Sequence, residues 1–98
     1  MATYAVFTRE STQDQGELDM YMKKVGETFK GHPIKILAAY GAQEALEGDA
    51  PEGVVIVEFP SAEAAHAWYD GPAYQEVVQH RFKGSRYRVV LVEGVERK

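Results

Sequence analysis

The chain has 98 residues, 45% hydrophobic and 27% charged, which suits one soluble globular domain around one core and excludes a disordered chain. With no cysteine, it is excluded from disulfide, thiolate-metal and cysteine-nucleophile chemistry. A net charge of −4 argues against a nucleic-acid backbone as partner.

The opening MATYAVFTRE lacks a basic start followed by a long apolar run, so no signal peptide is expected. Apolar runs such as Val54 to Val57 and Val89 to Val92 are far shorter than the roughly 20 residues of a membrane span. The expected setting is cytoplasmic, with no membrane partner.

In chain order, Thr3 to Phe7 predicts a first strand, with Tyr4 and Val6 on one face and Ala5 and Phe7 on the other. Ser11 to Gly16 supplies two candidate helix starts, Asp14 with Glu17 and Thr12 with Gln15. The helix that follows carries Leu18, Tyr21, Met22, Val25 and Phe29 at steps of three and four, one apolar face. Gly31 and Pro33 end it. Ile34 to Tyr40 predicts a second strand, and Gly41 to Gly53 a long polar connection that is either a flap or carries short structure of its own.

Val54 to Phe59 is the central strand. Ser61 caps the next helix, whose stripe is Ala65, Trp68 and Tyr69. Gly71 stops it and Pro72 opens a second, short helix bearing Tyr74, Val77, Val78 and Arg81 on one side. Gly84-Ser85 predicts a turn, Tyr87 to Glu93 the last strand, and 94–98 a charged tail.

Strand, helix, strand, strand, helix, strand is the split βαβ order. The expected fold is therefore α+β, ferredoxin-like βαββαβ with an antiparallel sheet, over 1–98 as a single domain. Helices cover one face of such a sheet, yet Val54 and Ile56 alternate with Val55, Val57 and Phe59, and both sides of Val89 to Val92 are apolar. A homodimer with its two open sheet faces together would bury the second set; the alternative is a monomer whose loop and tail cover them.

The run EALEGDAPEGVVIVEFPSAEAAHAWYDGPAYQEVVQHR, residues 44–81, resembles the domain of unknown function 1330 family. The shared pattern is an LEG turn, an apolar strand ending in EFPS, an AxxWY helix, then PxYQ and a later Arg. The resemblance implies a dimeric α+β barrel, related to small ferredoxin-like proteins that include monooxygenases and muconolactone isomerases. The chain departs from the family where a Gly-Gly-Arg usually enters the second strand and an Arg-Gly-Gly leaves it. Here these read Gly31-His32-Pro33-Ile34-Lys35 and Ala39-Tyr40-Gly41.

Glu58, a carboxylate inside an apolar strand, is the candidate catalytic acid or base. Its plainer role is an ion pair, with Arg86 or Arg88, or a solvent-facing strand end. Tyr40, Tyr69, Tyr74 and Arg81 are the candidate ligand-binding residues. Trp68 reads as packing, and Tyr69 and Tyr74 as the better pocket aromatics. Arg81 is either a fork for a ligand carboxylate or a surface ion-pairing group, the surface role being the plainer.

His32, His66 and His80 lack metal-ligand spacing, and no Gly-rich phosphate loop is present, so no cofactor or metal is expected. Aliphatic residues replace the stacking rings that an RNA-binding third strand would carry, so no nucleic acid is expected either. The expected function is small-organic-molecule binding by a cytoplasmic homodimer, with cofactor-free acid–base chemistry, isomerase- or monooxygenase-like, if it is an enzyme. The alternative is a non-catalytic ligand-sensing or interaction module on the same fold.

Overall fold

The computed structural model describes residues 2–95. Its elements are β1 (Thr3–Thr12), α1 (Gln15–Lys24), a 3-10 helix (Val25–Phe29), β2 (Lys35–Ala39), β3 (Gly53–Phe59), α2 (Ala62–Tyr69), α3 (Pro72–Gly84) and β4 (Ser85–Glu93). The four strands form one antiparallel sheet in the order β2-β3-β1-β4. This is the ferredoxin-like α+β arrangement, with helices on one face only. Among the described residues no helix is long and apolar enough to cross a membrane.

The local signals act where the sequence puts them. Asp14 caps α1, its carboxylate accepting from the Glu17 backbone N–H at 3.2 Å. Ser61 caps α2, its hydroxyl accepting from the Ala64 N–H at 3.1 Å. Gly31 takes φ +79°, the left-handed turn that a side chain would strain.

Elsewhere the chain departs from the expected pattern. The α-helix after Asp14 stops at Lys24 and tightens into the 3-10 turn, which still buries Thr28 and packs Phe29 on the core. α3 is longer than α2, because Tyr74, Val78 and Arg81 are all buried and sustain its packing for three turns. There is no turn at Gly84-Ser85: the helix passes directly into β4, and the Gly84 carbonyl accepts from the N–H groups of Gln13 and Asp14 at 2.8 and 3.0 Å. A Cβ on Gly84 would stand 2.6 Å from the Leu18 backbone nitrogen. Glycine therefore lets the C-terminus of α3 meet the start of α1. β2 has a bulge between Ile36 and Ala38, so its strict alternation fails. The tail begins by extending the sheet, Gly94 N–H donating to the Ala2 carbonyl at 2.8 Å; residues 96–98 lie outside the described residues.

Ala5, Phe7, Val57 and Phe59 face the helices and pack with Leu18, Ala65, Trp68, Tyr74 and Val78. Trp68 is central: Phe7, Phe29, Phe59, Tyr69 and Tyr74 all have ring centroids within 6.3 Å of it. Its indole N–H donates to the Thr28 hydroxyl at 3.0 Å, so this Trp is packing with its one donor satisfied. The opposite sheet face carries Tyr4, Val6, Val54, Ile56, Val90 and Val92. On it Val90 and Val92 are 56% and 50% exposed.

Candidate functional site

At the end of the sheet where β1 finishes and β4 begins, one row of cross-strand partners reads Gly53–Arg9–Tyr87. All three share the parity of Val55, Phe7 and Val89, so they lie beneath the helices. Tyr40, just past β2, takes φ +57°, an uncommon conformation for a residue with a bulky side chain. That turn sends its ring across Gly53, beneath the Arg9 guanidinium 5.1 Å from the ring centroid, to a hydroxyl–hydroxyl bond with Tyr87 at 2.5 Å. Arg9 itself pairs with Glu52 at 3.3 Å. A second hydroxyl pair, Tyr21 with Tyr74 at 2.7 Å, ties α1 to α3.

Arg81 sits between the two pairs. The helical step from Tyr74 through Val78 places it on the buried side of α3, and it is 3% exposed. This corrects the surface ion-pair role expected from the sequence. Its guanidinium lies 4.7 Å from the ring centroid of Tyr87, 5.2 Å from that of Phe82 and 5.8 Å from that of Tyr21. Among the described residues no carboxylate lies within ion-pair distance of it, and its Nε is buried without a hydrogen-bond partner.

A guanidinium cannot shed its proton, so burial must be offset rather than avoided. The effective penalty is several kcal/mol. Three rings at about 0.5–2 kcal/mol each, and the negative end of α3 at roughly 0.3–1 kcal/mol, are of similar size. They balance the cation without neutralising it. Arg81 borders a cleft open to solvent, about 540 Å³ in volume, that Tyr69, Phe82 and Tyr87 also line.

Burial is the main force on the hydroxyls as well. It raises Tyr21 well above the ordinary phenol range, assisted by its neighbour Tyr74. Burial likewise raises Tyr40, followed by the bond to Tyr87. Tyr74 is raised by burial, with Arg81 the largest opposing influence. These phenols therefore hold their protons at neutral pH and are not bases.

Of the residues singled out from the sequence, Tyr40, Tyr74 and Arg81 converge here. Tyr69 stands at the edge, its ring centroid 5.3 Å from that of Tyr74. Glu58 does not join them. It lies on the other sheet face, with Tyr4 and Lys35 as its cross-strand partners. The pairing with Arg86 or Arg88 is also corrected: Arg88 pairs with Glu10, and the cation across from Glu58 is Lys35. His80 bonds Glu17 at 2.7 Å and His66 bonds Asp70 at 3.0 Å, both outside the cluster.

Sequence reasoning missed Tyr21, Tyr87, Arg9 and Gly53. Tyr21 counts as one more apolar position of α1, and Tyr87 as the start of a strand. The one legible signal was parity: Arg9 continues the Ala5, Phe7 series, and Gly53 the Val55, Val57 series.

Known proteins share this architecture. A protein of unknown function from Rhodopseudomonas palustris is 19% identical and superposes with a TM-score of 0.75, over 98% of this chain and 84% of that one. A dimeric ferredoxin-like protein of unknown function from Thermobifida fusca is 12% identical, with a TM-score of 0.63 over 94% and 90%. SnoaB from Streptomyces nogalater, described as a cofactor-independent oxygenase, is 10% identical, with a TM-score of 0.56 over 98% and 93%. No curated protein matches the chain. The model of the domain of unknown function DUF1330 matches residues 2–95, and the chain belongs to that family.

Proposed function

We propose that this protein, a cytoplasmic homodimer, binds a small organic anion in the cleft at Arg81. The observation that carries the reading is a buried guanidinium with no carboxylate beside it among the described residues and an unpartnered Nε, on the wall of an open cleft. A carboxylate would take the planar fork through two parallel hydrogen bonds, and an enolate or phenolate oxygen one arm of it, while Tyr69 and Tyr87, which line the same cleft, supply further donors. Such an array stabilises an oxyanion without moving during the reaction, which is how electrostatic catalysis works. An enzymatic version would act on an already acidic substrate, in the cofactor-free manner expected from the sequence. The fold it shares with SnoaB is one compatible with such chemistry.

A second reading, a ligand-sensing module, draws support from the same cleft. Arg81, Arg86 and the phenols Tyr69 and Tyr87 line it, Glu58 faces the other way, and among the described residues no carboxylate lines it to act as base.

Thermal unfolding with benzoate and its neutral isostere benzamide tests the anion site. Benzoate should raise the midpoint, and a ligand at 100 times its dissociation constant stabilises by about 2.7 kcal/mol. Benzamide should not, and Arg81→Gln should lose the benzoate response while remaining folded by circular dichroism. Equal response to both compounds, or an unchanged response in Arg81→Gln, would sink the reading.

A further inference from the structure

A second space lies beside the cluster. It is a cavity of about 130 Å³ between the 3-10 helix and the β2–β3 edge of the sheet, bounded by Met22, Val25, Phe29, Ile34, Val55 and Trp68. The rings of Tyr21 and Tyr40 close it on the side of Arg81, and their hydroxyls are occupied by Tyr74 and Tyr87. The cavity wall is therefore apolar, and the charge begins only beyond the tyrosine pairs. Water gains nothing there: it needs two to four polar partners, and a dry apolar cavity of roughly 150 Å³ accepts benzene.

The surroundings allow entry. α1 gives up its α-helical geometry at Val25, which borders this space together with Phe29, and short 3-10 stretches often mark a hinge. Met22, Val25, Phe29 and Ile34 are only partly buried, and Ile36 at the rim is 51% exposed. A space left unfilled is destabilising in proportion to its volume, since its lining lacks contacts on one side. An occupant of matching shape recovers those contacts.

We infer that this cavity is a second binding compartment, selective for an uncharged apolar group the size of one aromatic ring. The inference does not rest on the Arg81 reading, because the two spaces are separated by the tyrosine pairs and differ in chemistry. A charged group placed here would lose its hydration with no partner in return.

The probe is benzene, with benzoate as the charged comparison. Benzene should raise the midpoint of thermal unfolding in a saturable manner, and should do so equally in Arg81→Gln. In methyl NMR of the wild type, the signals of Met22, Val25, Ile34 and Val55 should move most. Val25→Phe, which fills the space with its own ring, should abolish the benzene response; if that variant does not fold, Met22→Phe serves the same purpose. The inference is overturned if benzene gives no saturable shift, if the folded filled variant responds like the wild type, or if the perturbed methyls are those of the open sheet face, such as Val90 and Val92. Loss of the benzene response in Arg81→Gln would also overturn it, by joining the two spaces into one site.

Discussion

Tyr40 fills the space that a side chain on Gly53 would occupy: its Cδ1 and Cε1 lie 2.5 and 2.8 Å from where that Cβ would stand. Gly53 needs no unusual backbone angle, so its role is purely one of room. Because position 53 carries no side chain, Tyr40 can lie over β3, stack against Arg9 and meet Tyr87 on β4. One glycine thus couples the edge of the sheet where the long loop leaves to the wall of the Arg81 cleft.

Gly53→Ala should therefore destabilise the protein by about 1–3 kcal/mol through overpacking. In a Tyr40→Ala background the same change should be neutral or favourable by up to about 1 kcal/mol, since Ala orders a strand more readily than Gly. A double-mutant cycle by urea denaturation reads the coupling, expected at 1 kcal/mol or more. Additive effects would mean that the ring moves aside freely and does not hold the row.

The raised phenols predict behaviour in alkali. Tyr21, Tyr40 and Tyr74 bind protons in the folded state at pH values where the unfolded chain, with phenols near 10, releases them. Their contribution to stability is fully present below about pH 10 and falls as the pH rises above it. Of the six tyrosines, these three should ionise only as the fold is lost. Phenolate absorbance near 295 nm, followed with far-ultraviolet circular dichroism, should show a phase that coincides with unfolding. Full ionisation of all tyrosines while the dichroism remains native would contradict this account.

The fold was readable because its signals are local and period-bound. Asp14, Ser61, Gly31 and Gly71-Pro72 punctuate the helices where their chemistry requires, and the two-residue alternation of β1 and β3 gives the correct buried faces. The candidate site was half readable. Spacing along α3 puts Arg81 on the buried side with Tyr74 and Val78, but the Tyr87 ring 4.7 Å from its guanidinium comes from β4, which that spacing does not encode. The reach of Tyr40 depends on a bulge in β2 and a left-handed residue. Both break the alternation from which its direction would be inferred.

The open sheet face predicts association. Val90 and Ile56 flank Val6 there, one on each side of β1, and each apolar side chain of this size is worth about 1.5–3 kcal/mol if buried. Light scattering at micromolar concentration should give twice the mass of one chain. Val90→Lys and Ile56→Lys should each yield monomer or aggregate, because a charge placed in that contact would be desolvated without a partner. A concentration-independent mass of a single chain would rule the dimer out.

Glu58 lies on that same face, half-buried, with Lys35 as its partner across β2 and β3. A cross-strand pair of opposite charge contributes roughly 0.2–1 kcal/mol, less than the several kcal/mol that desolvating a carboxylate in a sheet-to-sheet contact takes. The carboxylate should therefore oppose tight association more than Lys35 favours it. Glu58→Gln keeps the shape and removes the charge, so it should tighten the dimer, by about tenfold for each 1.4 kcal/mol of relieved desolvation. Because Arg81 lies on the far side of the sheet, the benzoate response should be unchanged. Analytical ultracentrifugation with a parallel thermal titration reads both quantities. Loss of the benzoate response at unchanged dimer affinity would instead make Glu58 part of the ligand's site, in the acid–base role that its place in an apolar strand first suggested.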